Sequence, residues 1–204
     1  MLPEQIVYIG VLISLTLTFL YLRTIIYGNT RPNLISWSIW ALVPLIAVFL
    51  QIKAGAGLSF VSSFMSGFGP LLVVIFALIY KKGFWQITKL DIVCGILALL
   101  ALVIYVLTSK LGISILFAIL SDGLAAIPTI RKSWKFPLSE SFITYMSGII
   151  SNILALLVIK NWVFSIYAFS IYLITINVII IFSIYHEKIF KYFLCKHSPN
   201  ESLK

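Results

Sequence analysis

Charge is what this sequence has least of. Only 10% of its 204 residues are charged, and Asp and Glu together number 6. An average soluble domain carries about 25%. Hydrophobic residues make up 61% of the chain, and mean hydropathy is +1.10. A water-soluble fold of this length has no interior large enough for that much apolar surface. The composition therefore excludes a soluble domain and specifies an all-α, multi-pass membrane protein. Cysteine is scarce too. Cys94 and Cys195 form no C-x-x-C pair, which excludes a disulfide framework and a thiolate metal site. The two histidines, His186 and His197, fall in the charged C-terminal stretch, where a histidine is expected to be solvated. There is no H-E-x-x-H, no Ser-His pair inside an apolar run and no carboxylate dyad. An enzyme is therefore not expected, and no cofactor or metal is implied.

What the chain does have is long apolar runs. Seven stand between charged or turn-like punctuation: Ile6–Leu22, Leu34–Leu50, Leu58–Tyr80, Ile92–Thr108, Leu111–Ile130, Ser141–Ile159 and Trp162–Tyr185. Each is near the ~20 residues that cross a hydrocarbon core of ~30 Å. The first lacks a basic leader and a small-residue cleavage site, so it is expected to be a retained helix and not a signal peptide. The short connections predict antiparallel neighbours.

Seven spans sort the basic residues sharply. Lys53, Lys110 and Lys160 fall on one side and the other twelve Lys and Arg on the opposite side. The positive-inside rule makes the twelve cytoplasmic. The N-terminus is then outside and the C-terminus inside a cell membrane. The net charge of +9 is explained by this asymmetry and by attraction to anionic lipid. Nucleic acid is not an expected partner.

A shift of 108 residues lays spans 1, 2 and 3 on spans 5, 6 and 7, and leaves span 4 alone. Arg23 falls on Arg131, Trp37 on Tyr145, Ser36 on Thr144 and Ser62 on Ser170. The expected architecture is two parallel three-helix repeats joined by a linker helix, a 3-1-3 arrangement with an axis along the membrane normal. Its parts are residues 1–86, the linker helix 87–110, residues 111–186 and a basic cytoplasmic tail, 187–204. Polar residues fall on matching faces. Asn33, Trp37, Trp40 and Pro44 share one face of span 2, and the shift carries that face to Ser141, Tyr145, Gly148 and Asn152 of span 6. Ser59, Ser62, Ser66 and Gly69 line span 3, and Ser170 and Asn177 line span 7. Small and hydroxylated stripes also serve plain helix packing. Asp122, Asn152 and Asn177 are costlier in hydrocarbon and point to a polar cavity.

Asp122 stands eleven residues after Leu111 and nine before Arg131, near the bilayer centre. A carboxylate there costs roughly 2.5–3.5 kcal/mol even on a lenient scale. It must be protonated, paired or in contact with water. No basic residue lies in a span core, so the expected partners are the uncharged groups of Asn152, Asn177, Ser14 or Ser121. Asp122 either hydrogen-bonds a polar solute or takes up and releases a proton. Pro128 and Pro44 each remove a helical hydrogen bond, freeing the carbonyls of Leu124 and Trp40, and are expected hinges.

The segment IPTIRKSWKFPLSESFITYMSGIISNIL resembles the PQ-loop pattern of SWEET-type sugar facilitators and lysosomal PQ-loop transporters. In these a proline closes the first helix of each repeat, and a basic, aromatic connector leads into a Ser-rich helix start. Pro128, Arg131, Lys132, Trp134, Lys135, Ser139 and Ser141 match in order, with Thr129 where the family carries Gln. The resemblance implies a seven-helix transporter that moves a small polar solute (sugar, amino acid or vitamin) by alternating access. Asp122, Asn152 and Asn177 would bind the solute, with Trp37, Trp40 and Tyr145 as aromatic walls. The alternative is a non-transporting membrane receptor or assembly factor on the same fold. The expected partners are the lipid bilayer, the solute and, through Asp122, protons. A homo-oligomer is left open.

Overall fold

The computed structural model describes residues 4–53, 55–81, 87–107 and 111–197. Seven α-helices run through them: α1 Val7–Ile26, α2 Leu34–Lys53, α3 Phe60–Tyr80, α4 Lys89–Leu107, α5 Leu111–Lys135, α6 Phe142–Val158 and α7 Phe164–His197. Single 3-10 turns lie at Glu4–Ile6, Gly57–Ser59 and Pro137–Ser139. All helices but α6 are long and apolar enough to cross a membrane, and α6 has 17 residues, at the short end of the spanning range. The chain is an all-α, multi-pass membrane protein. Thr108, Lys82, Lys110, Lys204 and the boundaries drawn at residues 86 and 110 lie outside the described residues.

Each apolar run becomes a helix because a bilayer offers backbone amides no other partner. The helices overrun the apolar runs where the flanking residues are polar helix formers. α5 continues past Ile130 through Arg131–Lys135, and α7 continues past Tyr185 into the basic segment. One consequence corrects an expectation. His186 is not solvated: it is buried, its Nδ1 lies 2.8 Å from the Ser183 carbonyl, and its ring stacks on Trp134 at 3.9 Å. Continuation of α7 turns it back onto the end of α5.

The packing order is not the chain order. α3 packs between α1 and α2, and α7 packs between α5 and α6. The two groups then meet through α1 on α6 and α2 on α5, so six helices close a ring, with α4 outside against α5 and α2. The outer face of α4 exposes Ile92, Val93, Ile96, Leu100, Val103 and Val106, an apolar surface suited to lipid. Its start is tied to α2 by Asn33 Nδ2 donating to Asp91 Oδ1 at 3.0 Å. Its middle is tied to α5 by the Ser121 hydroxyl donating to the Ala98 carbonyl at 2.7 Å. Asn33 and Ser121 are thereby committed to α4.

α2 and α3 approach each other closely at Gly67. A methyl group at Gly67 would lie 2.8 Å from Leu45 Cγ and 3.0 Å from the Ala41 carbonyl oxygen. Gly67→Ala is therefore expected to cost about 1–3 kcal/mol by overpacking. Gly112→Ala, whose methyl would meet only Phe164 at 3.9 Å, should stay within about 0.5 kcal/mol of the parent. Midpoints of SDS-induced unfolding compare the two.

Candidate functional site

Inside the ring lies a cavity of about 80 Å³, space for several water molecules. Every ring helix contributes to its wall. Ser14 and Thr18 come from α1, Trp37, Trp40 and Pro44 from α2, and Ser66, Gly69 and Pro70 from α3. Asp122 comes from α5, Tyr145 and Gly148 from α6, and Asn177 from α7. α4 contributes none of the described lining residues. The helical periods explain this gathering. Residues three and four apart project from one side, and the ring turns that side of each helix inward.

Three aromatic rings form one wall. Trp37 and Trp40 meet edge-on with centroids 5.5 Å apart, and Tyr145 lies 6.5 Å from Trp37 and 6.4 Å from Trp40. Trp40 Nε1 donates to the Asp122 main-chain carbonyl at 3.3 Å, locking α2 to α5 beside the cavity. Trp37 Nε1 is buried without a hydrogen-bond partner.

Asp122 is 1% exposed. Its partner is none of the four groups expected from the sequence. The Tyr172 hydroxyl of α7 donates to Asp122 Oδ2 at 2.8 Å, and Oδ1 has no partner. Ser14 instead bonds the Ser151 hydroxyl at 2.6 Å, Ser121 faces α4, and Asn177 Nδ2 donates to the Leu173 carbonyl at 2.6 Å. A methyl group at Gly123 would lie 3.5 Å from the Tyr172 oxygen, an ordinary contact. Gly148 is tighter against Asn177, whose Nδ2 would stand 3.0 Å from an added methyl.

Asp122, Asn177, Trp37, Trp40, Tyr145 and Pro44 thus surround one cavity. Asn152 does not line it. It lies one turn beyond Gly148, fully buried, with Nδ2 on the Gly148 carbonyl at 2.8 Å and Oδ1 unpartnered. Pro128 lies inside α5, away from the cavity wall. A further proline, Pro70, sits within α3 and lines the cavity. The Gly69-Pro70 pair in span 3 was its sequence signal.

At one end of the cavity is a group that the sequence pattern did not single out. The Glu140 carboxylate is paired with Lys132, and both side chains are buried. The hydroxyls of Tyr21 and Tyr145 both donate to Glu140 Oε2, at 3.0 and 3.2 Å. The Lys132 ammonium also donates to the Arg31 carbonyl, and the Arg31 amide donates to the Ser139 carbonyl at 3.2 Å. The α5–α6 connection is thereby pinned to α1 and to the α1–α2 connection. Tyr145 belongs to both pin and cavity, and Tyr21 stacks on the cavity residue Trp37 at 5.1 Å. At the opposite end the turn at Gly55–Leu58 faces Val158–Asn161 across a second cavity of about 200 Å³.

No group of three or more His, Cys, Asp or Glu gathers to hold a metal among the described residues. No family model matches the chain, and no curated protein and no solved structure matches it.

The pin has an energetic signature. Removing one partner of a buried pair strands the other charge, at about 3–5 kcal/mol, while exchanging both for uncharged groups costs far less. Lys132→Met and Glu140→Gln should each lower the melting temperature in detergent more than the double variant does. A double variant at least as damaged as the worse single would show that the pair is not a closed unit.

Proposed function

We propose that this protein transports a small polar solute of the sugar, amino acid or vitamin type by alternating access, with the cavity at Asp122 as its solute site. The observation that carries this proposal is the cavity itself: six helices ring a polar, aromatic space near the level of a mid-membrane carboxylate.

The helix adjacencies support two three-helix repeats, α1–α3 and α5–α7, with α4 as linker. Exchanging α1, α2 and α3 for α5, α6 and α7 maps each main packing pair of the ring onto another. That is the relation expected of parallel repeats about an axis normal to the membrane. In this proposal the pinned end faces the cytoplasm, because Arg23, Arg31, Lys132 and Lys135 cluster there and the positive-inside rule applies. The N-terminus is outside. The Lys132–Glu140 pin closes the cytoplasmic end, and rocking about the proline-weakened helices α2 and α5 opens it. The SWEET-type and PQ-loop resemblance of the connector 128–141 agrees with this cycle.

Uptake into proteoliposomes tests it, with a panel of sugars, amino acids and vitamins, with and without an inward proton gradient, for the parent and Asp122→Asn. Saturable uptake of at least one solute is expected, and gradient-driven uptake in the parent alone would make Asp122 the proton-coupling group. Binding without any flux would transfer the site to a receptor or assembly factor.

A further inference from the structure

The cavity's polar groups are unbalanced in a way that bears on what it accepts. Among the described residues Asp122 is its one charged lining group, and no Lys, Arg or His lines it. The nearby Lys132–Glu140 pair neutralises itself. Asp122 Oδ1 is an unpartnered acceptor. Pro44 and Pro70 withhold the amides that would have bonded the carbonyls of Trp40 and Ser66, and both of those residues line the cavity. Trp37 Nε1 is an unpartnered donor in the same wall, and the hydroxyl residues Thr18, Ser66 and Thr144 also line it. The remaining wall is the ring trio of Trp37, Trp40 and Tyr145, whose faces are electron-rich.

A carboxylate and three aromatic rings together make an electron-rich wall with no positive group of its own. A buried carboxyl without a counter-charge either holds a proton or draws a cation. A sodium ion would be served by the oxygens and gain little from the indoles. An ammonium group uses both, through charge attraction to the carboxylate and cation–π contact with the rings. The unpartnered Trp37 N–H then offers a hydrogen bond to an oxygen on the same solute, a short distance from its charge.

We infer that the solute of this cavity is an organic ammonium compound carrying a hydroxyl group, its cationic nitrogen held between Asp122 and the Trp37–Trp40–Tyr145 trio and its oxygen at Trp37 Nε1. This narrows the solute class of the transporter proposed above and rests on that reading only in assuming that the cavity takes a solute. Binding without flux tests it separately.

Choline is the probe, and 3,3-dimethyl-1-butanol, in which carbon replaces the charged nitrogen, is its neutral isostere. Equilibrium binding of radiolabelled choline is measured on the full chain in phosphatidylglycerol nanodiscs. Unlabelled tetramethylammonium, the neutral isostere, sodium chloride and glucose serve as competitors. The expected result is saturable choline binding, displaced roughly tenfold or more better by tetramethylammonium than by the isostere, and weakened by a similar factor in Asp122→Asn. Trp37→Phe keeps the ring and removes the N–H. It weakens the cation–π contact for both ligands but should weaken choline by the larger factor, a difference that misfolding would not produce. Equal displacement by the isostere, displacement by sodium as good as by tetramethylammonium, an unaffected Asp122→Asn, or no saturable choline binding each overturns the inference. If choline fails while a neutral sugar is taken up in the flux assay, the transporter stands and the cation does not. If choline binds and no solute shows flux, the cation stands and the transporter does not.

Discussion

The Glu140 carboxylate is the point on which the arrangement of the helices turns. It lies in the connection between α5 and α6, buried, and gathers Lys132 from the end of α5, Tyr21 from α1 and Tyr145 from α6. A charge taken out of water is tolerable only when its lone pairs are engaged. Each group that satisfies Glu140 therefore becomes fixed in place. Lys132 in turn engages the Arg31 carbonyl, so the constraint reaches the α1–α2 connection. Three helices and two connections are held at one end by a single demand for solvation, while the other end meets across a gap lined by glycines and the Val158–Asn161 turn.

The same demand shapes the cavity. Asp122 is engaged on one side by Tyr172 and open on the other, and Trp37 is buried with its N–H unused. A lipid-embedded core normally pairs such groups internally. Both groups belong to a cavity whose wall mixes polar and aromatic side chains, whereas a packing defect would be apolar.

Much of this was legible in the sequence, and the reasons for the rest are specific. The seven helices follow from apolar run length, because in hydrocarbon no other backbone conformation competes. Their ends were less legible: α5 and α7 continue through basic residues that read as punctuation but are good helix formers. The ring around Asp122 was visible as stripes at helical spacing, and Trp37, Trp40, Tyr145 and Asn177 do line one space. Asn152 sits on the right face but a turn too far along. Tyr172 was missed because a tyrosine in an apolar run reads as a hydrophobic ring, and its hydroxyl matters only once α7 lies against α5. The Glu140–Lys132 pair was missed for the opposite reason. Acids and bases in connections are ordinarily solvated, and only tertiary structure shows that this connection folds inward.

The order of packing has a consequence for biosynthesis. α3 lies between α1 and α2, and α7 between α5 and α6, yet the ribosome delivers each set in numerical order. The first two helices of each set must stand apart in the bilayer until the third arrives to be wedged between them. α1 also waits for α6, because Ser14 finds its hydrogen-bond partner, Ser151, on a helix made 137 residues later. Insertion and association are separable stages in membranes, and in this chain the interval between them is long. Through that interval the polar stripe of α1 must be tolerated by lipid or sheltered by the insertion machinery. Its hydroxyls and glycine are cheap enough to wait unpaired, as a second carboxylate at the Ser14 position would not be.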